Sequence, residues 1–219
     1  MPSRNKSGPG FFHFKVPANI LWILMSVFIC SKAFSQTPEY KFHTSINIIK
    51  KENFTPKTDS ILQKSIFFID SIVNTENFRK AIISANFVNV KGCSNQEILR
   101  LFLGGGEISK PILNDTMEFE LAIYPNQNGD NIGSTYNSRK IVSSEKYIFK
   151  NGARCYAAHL IHEYCHTIGY DGFGFAHIHN TSNGRKREKC LSVPYVIGEI
   201  ARKQLGIKTC HFECEGFEE

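Results

Sequence analysis

Beyond residue 35 the chain has no apolar run approaching the roughly 20 residues that a membrane-crossing helix needs, so no stable span is expected once a leader is removed. Internal repeats and low-complexity runs are missing as well. With 42% apolar and 21% charged residues the chain is neither a disordered tail nor a collagen-like fibre, and its 219 residues provide for one ordinary domain. An excess of positive charge is lacking in the body of the protein, despite a net charge of +6. Residues 1–35 carry Arg4, Lys6, Lys15 and Lys32 and no acid. Setting these four aside leaves 22 basic residues against 20 acidic ones. A body so close to neutral argues against a nucleic-acid partner. The triplet Gly104-Gly105-Gly106 has neither the lysine nor the hydroxyl of a phosphate loop and follows a predicted helix instead of a strand, so it reads as a helix stop.

What the chain does have begins with a three-part leader: basic residues through Lys15, the apolar run Ile20 to Cys30, and small residues at Ala33 and Ser35. Eleven apolar-rich positions are too few to span a bilayer, which favours cleavage, with a mature start near Gln36. The expectation is a signal peptide over 1–35 and an exported protein, periplasmic or secreted. Six cysteines then remain, Cys93, Cys155, Cys165, Cys190, Cys210 and Cys214, and an even number in an exported chain points to disulfides. Residues 36–57 read as a poorly ordered lead-in or an edge strand, and 58–219 as a single domain that acts as a monomer. Gly184 to Lys189 is a short basic run of the kind found in solvated loops.

Local patterns supply the elements. Ile61, Leu62, Ile66, Ile69 and Val73 recur at three- and four-residue steps, which predicts a helix over 58–73 with one buried face. The β-branched stretch 82–90 reads as a strand. Ser94-Asn95-Gln96-Glu97 is a capping box, and a helix follows it through Leu103. Met117, Phe119, Leu121 and Ile123 alternate with Glu118, Glu120 and Ala122, predicting a strand with one wet face. Short strands are expected near 132–136 and 140–144, after turn formers between Pro125 and Asp130. The fold class is α+β, a small mixed twisted sheet packed with helices.

Five of the eight histidines lie between His159 and His179. Three of them fall on a helix predicted over 153–168, which carries His162-Glu163-Tyr164-Cys165-His166, an H-E-x-x-H sequence. Residues four apart stand one turn above each other on a helix, so both imidazoles can reach one tetrahedral zinc ion. Glu163 is then placed to accept a proton from water as it attacks a carbonyl carbon. Leu160, Ile161 and Ile168 would seat the helix on the core. His159, one turn before His162, reads as a neutral bystander, either exposed or supporting the site without ligating.

With these residues the chain resembles the zincin metallopeptidases, and more closely their metzincin-like branch, whose pattern is H-E-x-x-H-x-x-G-x-x-H. His162, Glu163, His166 and Gly169 match it in order. The resemblance implies a zinc cofactor, a peptide or protein substrate and hydrolysis with Glu163 as general base. The third ligand should fall at position 172, which is Gly172. His177, delivered by a longer loop, is the favoured third ligand, with His179 and Asp171 as alternatives. The family's methionine turn is absent in its usual form, since the only methionines are Met1, Met25 and Met117. In its place stands Ser192-Val193-Pro194-Tyr195, where Pro194 suits the first turn of a helix running to Leu205 and stopped by Gly206. Tyr195 is the candidate second catalytic residue, under the metal or donating to an oxyanion; the alternative is a tyrosine that packs this helix. The resemblance also implies that the strand 118–124 and the short segments after it form the edge beside the metal cleft. The rival reading is a secreted binding or structural protein, either a zinc-bearing one that is catalytically inactive or one stapled only by disulfides.

Overall fold

The computed structural model describes residues 43–88, 90, 92–109, 112–125, 132–136, 139–170, 173–176 and 190–208. All belong to one of the chain's two units, Phe42–Glu219. The leader, residues 126–130, Asp171, Gly172, His177, His179, the basic run 184–189 and the pair Cys210 and Cys214 lie outside the described residues. No helix among the described residues is long and apolar enough to cross a membrane.

The fold is α+β. Four strands, β1 (Ser45–Glu52), β2 (Thr116–Tyr124), β3 (Gly133–Tyr136) and β4 (Lys140–Ser144), form a mixed sheet in the order β1-β2-β4-β3. β1, β2 and β4 run parallel, and β3 closes one edge antiparallel to β4. The helices are α1 (Pro56–Val73), α2 (Glu76–Ile83), α3 (Asn95–Gly104), α4 (Glu145–Tyr164) and α5 (Val193–Gln204). A two-stranded hairpin, β5 (Gly169–Tyr170) and β6 (Phe173–Gly174), follows α4.

Met117, Phe119, Leu121 and Ile123 turn one face of β2 into the core, each at most 2% exposed. On the half-buried opposite face Glu120 pairs with Arg139 of the β3–β4 turn, while Glu52 on β1 pairs with Lys140 on β4. The alternation therefore reports one wet face, as its period requires. It does not report position in the sheet. β2 is an interior strand, where the resemblance implied an edge; of the short segments after it β4 is interior too, and β3 is an edge, as is β1.

Caps fix most helix starts. Thr55 and Thr58 form a capping box at α1, and Ser94 with Glu97 forms another at α3, which ends on the left-handed Gly105. The described residues of 82–90 do not form the expected strand. Thr75 caps α2 by accepting from the Phe78 amide, and the buried pair Phe78 and Ile82 lies one helical turn apart, so helix continues to Ile83. Among the described residues of that stretch beyond the helix, Val88 makes an isolated bridge to Ser192.

A line of rings joins the layers, with centroid distances of 5.8 Å for Phe78–Phe102, 5.5 Å for Phe102–Tyr164 and 5.2 Å for Phe119–Tyr164. At its end the Tyr164 hydroxyl donates to Oε1 of Glu107, which also accepts the Glu118 amide at 2.9 Å. Glu107 is 4% exposed, and burial raises its pKa against the pull of these hydrogen bonds. A raised native value means that the folded state holds the proton more tightly than the unfolded chain. This group's contribution to stability is thus fully present below the unfolded value of 4.5 and is lost as pH rises through the folded one. Glu107→Gln keeps the oxygen that both donors use. It is expected to flatten the fall in urea-unfolding midpoint as pH rises above the unfolded value of 4.5; equal slopes in parent and variant would refute this origin.

Candidate functional site

The site is built on the C-terminal half of α4. Gly152 interrupts that helix with φ 74° and ψ −173°, so a straight segment begins at Ala153, where the sequence placed it. Its end differs from expectation. Regular helix stops at Tyr164, and the amides of Cys165, His166 and Thr167 bond three residues back, to His162, Glu163 and Tyr164. The chain tightens into a 3₁₀-like turn. Ile168 and the Gly169 amide are then claimed by Glu107 and Gly106, which draws the backbone away from the helix axis. The H-E-x-x-H sequence therefore straddles a helix end instead of lying within one regular turn.

Leu160 and Ile161 are fully buried, as is Ile168, and Tyr164 and Cys165 also face the core. The opposite side of the segment presents His159, His162 and Glu163, at 4–6% exposure. His162 and His166 have ring centroids 5.6 Å apart at 75°. Two imidazoles on one tetrahedral zinc have centroids about 5 Å apart, given a zinc–nitrogen distance of about 2 Å. Nδ1 of His166 lies 2.6 Å from the Phe175 carbonyl oxygen, which can only accept, so the ring donates there and leaves its Nε2 lone pair for a metal. Tyr195, at the start of α5, sets its ring edge-to-face on His162 at 4.8 Å. These donors fit a zinc ion as two of its ligands. Among the described residues no group of three His, Cys, Asp or Glu side chains can hold a metal. Each candidate third ligand, His177, His179 or Asp171, lies outside them.

Glu163 is held from the sheet. Thr135 on β3 lies with its hydroxyl 2.7 Å from Oε2 and 3.1 Å from the Glu163 carbonyl oxygen. Burial lifts the Glu163 carboxyl to about 7, against the hydrogen bond from Thr135. His159 is no exposed bystander. Burial, with a further electrostatic contribution from the neighbouring His166, depresses it to about 3, so it is neutral. Its Nε2 lies 3.3 Å from the Ser143 hydroxyl on β4, its Nδ1 lies 3.8 Å from Glu163 Oε1, and Tyr147 packs edge-on at 5.6 Å. Sequence reasoning missed Thr135, Ser143 and the Phe175 carbonyl. The strands that carry the first two were legible, but nothing in a strand pattern marks which hydroxyl meets a helix.

The cysteines divide. Cys155 and Cys190 are disulfide-bonded, whereas Cys165 is a buried thiol that donates to the Ile161 carbonyl at 3.3 Å. The even count thus does not translate into complete pairing, because Cys165 faces the core and is held by its own helix.

No family model, curated protein or solved structure matches the chain.

Proposed function

We propose that the chain is an exported zinc-dependent peptidase of the zincin type, metzincin-like in its H-E-x-x-H-x-x-G sequence, acting as a monomer on peptide or protein substrates. The observation that carries this reading is the juxtaposition of two imidazoles with one lifted, buried carboxyl at the end of α4. His162 and His166 would hold the metal. His177 is the favoured third ligand, since it follows by two residues the Phe175 whose carbonyl orients His166; His179 and Asp171 are the alternatives. A bound zinc ion supplies a Lewis acid that polarises a carbonyl and acidifies water toward a pKa of about 7. Glu163 accepts the proton of the attacking water and returns it to the leaving amine, a task for which a buried carboxyl beside the two imidazoles is placed. Tyr195, whose ring packs on His162, is within the same wall of the site and is the candidate donor to an oxyanion.

A second reading rests on Gly172, which stands where the family pattern has its third ligand: a secreted protein that binds zinc without hydrolysis. Elemental analysis with a casein-cleavage assay, with and without chelator, separates the readings. One zinc per chain with chelator-sensitive cleavage is the expected result. Zinc without cleavage transfers the assignment to the second reading, and no zinc leaves a disulfide-stapled domain with no metal.

A further inference from the structure

Strand β3 lies along α4 in a matched register. Gly133 and Thr135 share one face of the strand, about 6.6 Å apart, and His159 and Glu163 share one face of the helix, about 6 Å apart. Gly133 rests on His159 so closely that a Cβ there would come within 2.7 Å of the ring's Nε2, 2.9 Å of its Cε1 and 2.6 Å of the Val142 carbonyl oxygen. Its cross-strand partner Ser143 is the residue whose hydroxyl meets that same Nε2. One strand residue pair further along, Thr135 reaches Glu163. The glycine permits close approach at the first step, and the hydroxyl uses it at the second.

We propose that β3 is the element that orients the general base, with Thr135 as a positioning residue for Glu163 and Gly133, seated on His159, as the contact that keeps Thr135 in reach. The proposal rests on the peptidase reading for its consequence in catalysis. Glu163 projects from the last helical turn before the 3₁₀-like segment, where the helix supplies little to fix a long side chain. Thr135 fastens one carboxylate oxygen to the sheet. His159, braced by Ser143, closes the side facing the other oxygen. A carboxylate freed from these partners swings through its rotamers, and a misplacement of about 1 Å costs up to about a hundredfold in rate.

The test compares Thr135→Val, which keeps the β-branched shape without the hydroxyl, with Thr135→Ser, which restores the hydroxyl. Both are crystallised metal-free beside the parent chain, and kcat, KM and zinc content are measured on a casein-derived peptide. Thr135→Val is expected to lose the parental Glu163 position and about ten- to a hundredfold in kcat, with KM and zinc content unchanged. Thr135→Ser is expected to recover both. Glu163 found in its parental position in Thr135→Val overturns the proposal, and so does a loss that Thr135→Ser fails to restore. Thr135→Ala serves in the same comparison if the valine variant does not fold. A parent chain without chelator-sensitive cleavage defeats the peptidase reading alone, since the position of Glu163 in the crystals still decides whether Thr135 holds it.

Discussion

Glu163→Gln is expected to retain stoichiometric zinc and the parental fold while losing between about 10² and 10⁴ in kcat on a casein-type substrate. Glutamine has the same length and keeps an oxygen that can accept from Thr135, so the hydrogen bond seen at Oε2 survives. What disappears is the capacity to take up a proton. The carboxyl is buried, raised to about 7 and set between the Thr135 hydroxyl on β3 and the His159 ring one turn back on its own helix, so no other described group shares its place. Parental cleavage by the glutamine variant, with zinc content unaltered, would remove Glu163 from the role of base.

The second large effect concerns the metal. Zinc added to chelator-stripped parent at about 1,000 times its dissociation constant is expected to stabilise the fold by about 4 kcal/mol. In a chain of this size that is a rise of roughly 8 to 16 °C in Tm. His162→Ala and His166→Ala should each abolish most of the rise and most of the bound zinc. The metal-free Tm of each variant provides the baseline, because His166→Ala also deletes the hydrogen bond to the Phe175 carbonyl. An undiminished rise in both variants would locate the zinc elsewhere, with Cys210 and Cys214 the nearest alternative by ligand chemistry.

Several elements were legible because their causes are local. The capping box at Ser94, the three-and-four spacing through α1 and the alternation in β2 each involve residues within a few positions of one another. The misreading at 82–90 has a local cause too: β-branched residues outweighed the Thr75 cap and the Phe78–Ile82 step, which together extend helix where propensity favours strand. The overlong helix over 153–168 failed for a different reason. Its last turn is unwound by pairing with residues 106–107, some sixty positions earlier, and no periodicity within the segment carries that information.

By itself the sequence determined the two histidines and the glutamate between them, since a four-residue spacing brings side chains together whether the turn is α-helical or slightly tightened. It also determined which residues of β2 face the core, because side-chain alternation is a property of the strand alone. The tertiary structure alone decided that β2 is interior, that β3 is an edge of the sheet, and that Thr135, Ser143 and the Phe175 carbonyl are the groups that hold Glu163, His159 and His166. Those contacts link residues nine to twenty-eight positions apart through strand order and close packing. They depend on which surfaces bury each other, a choice made by the whole chain at once and not by any one segment of it.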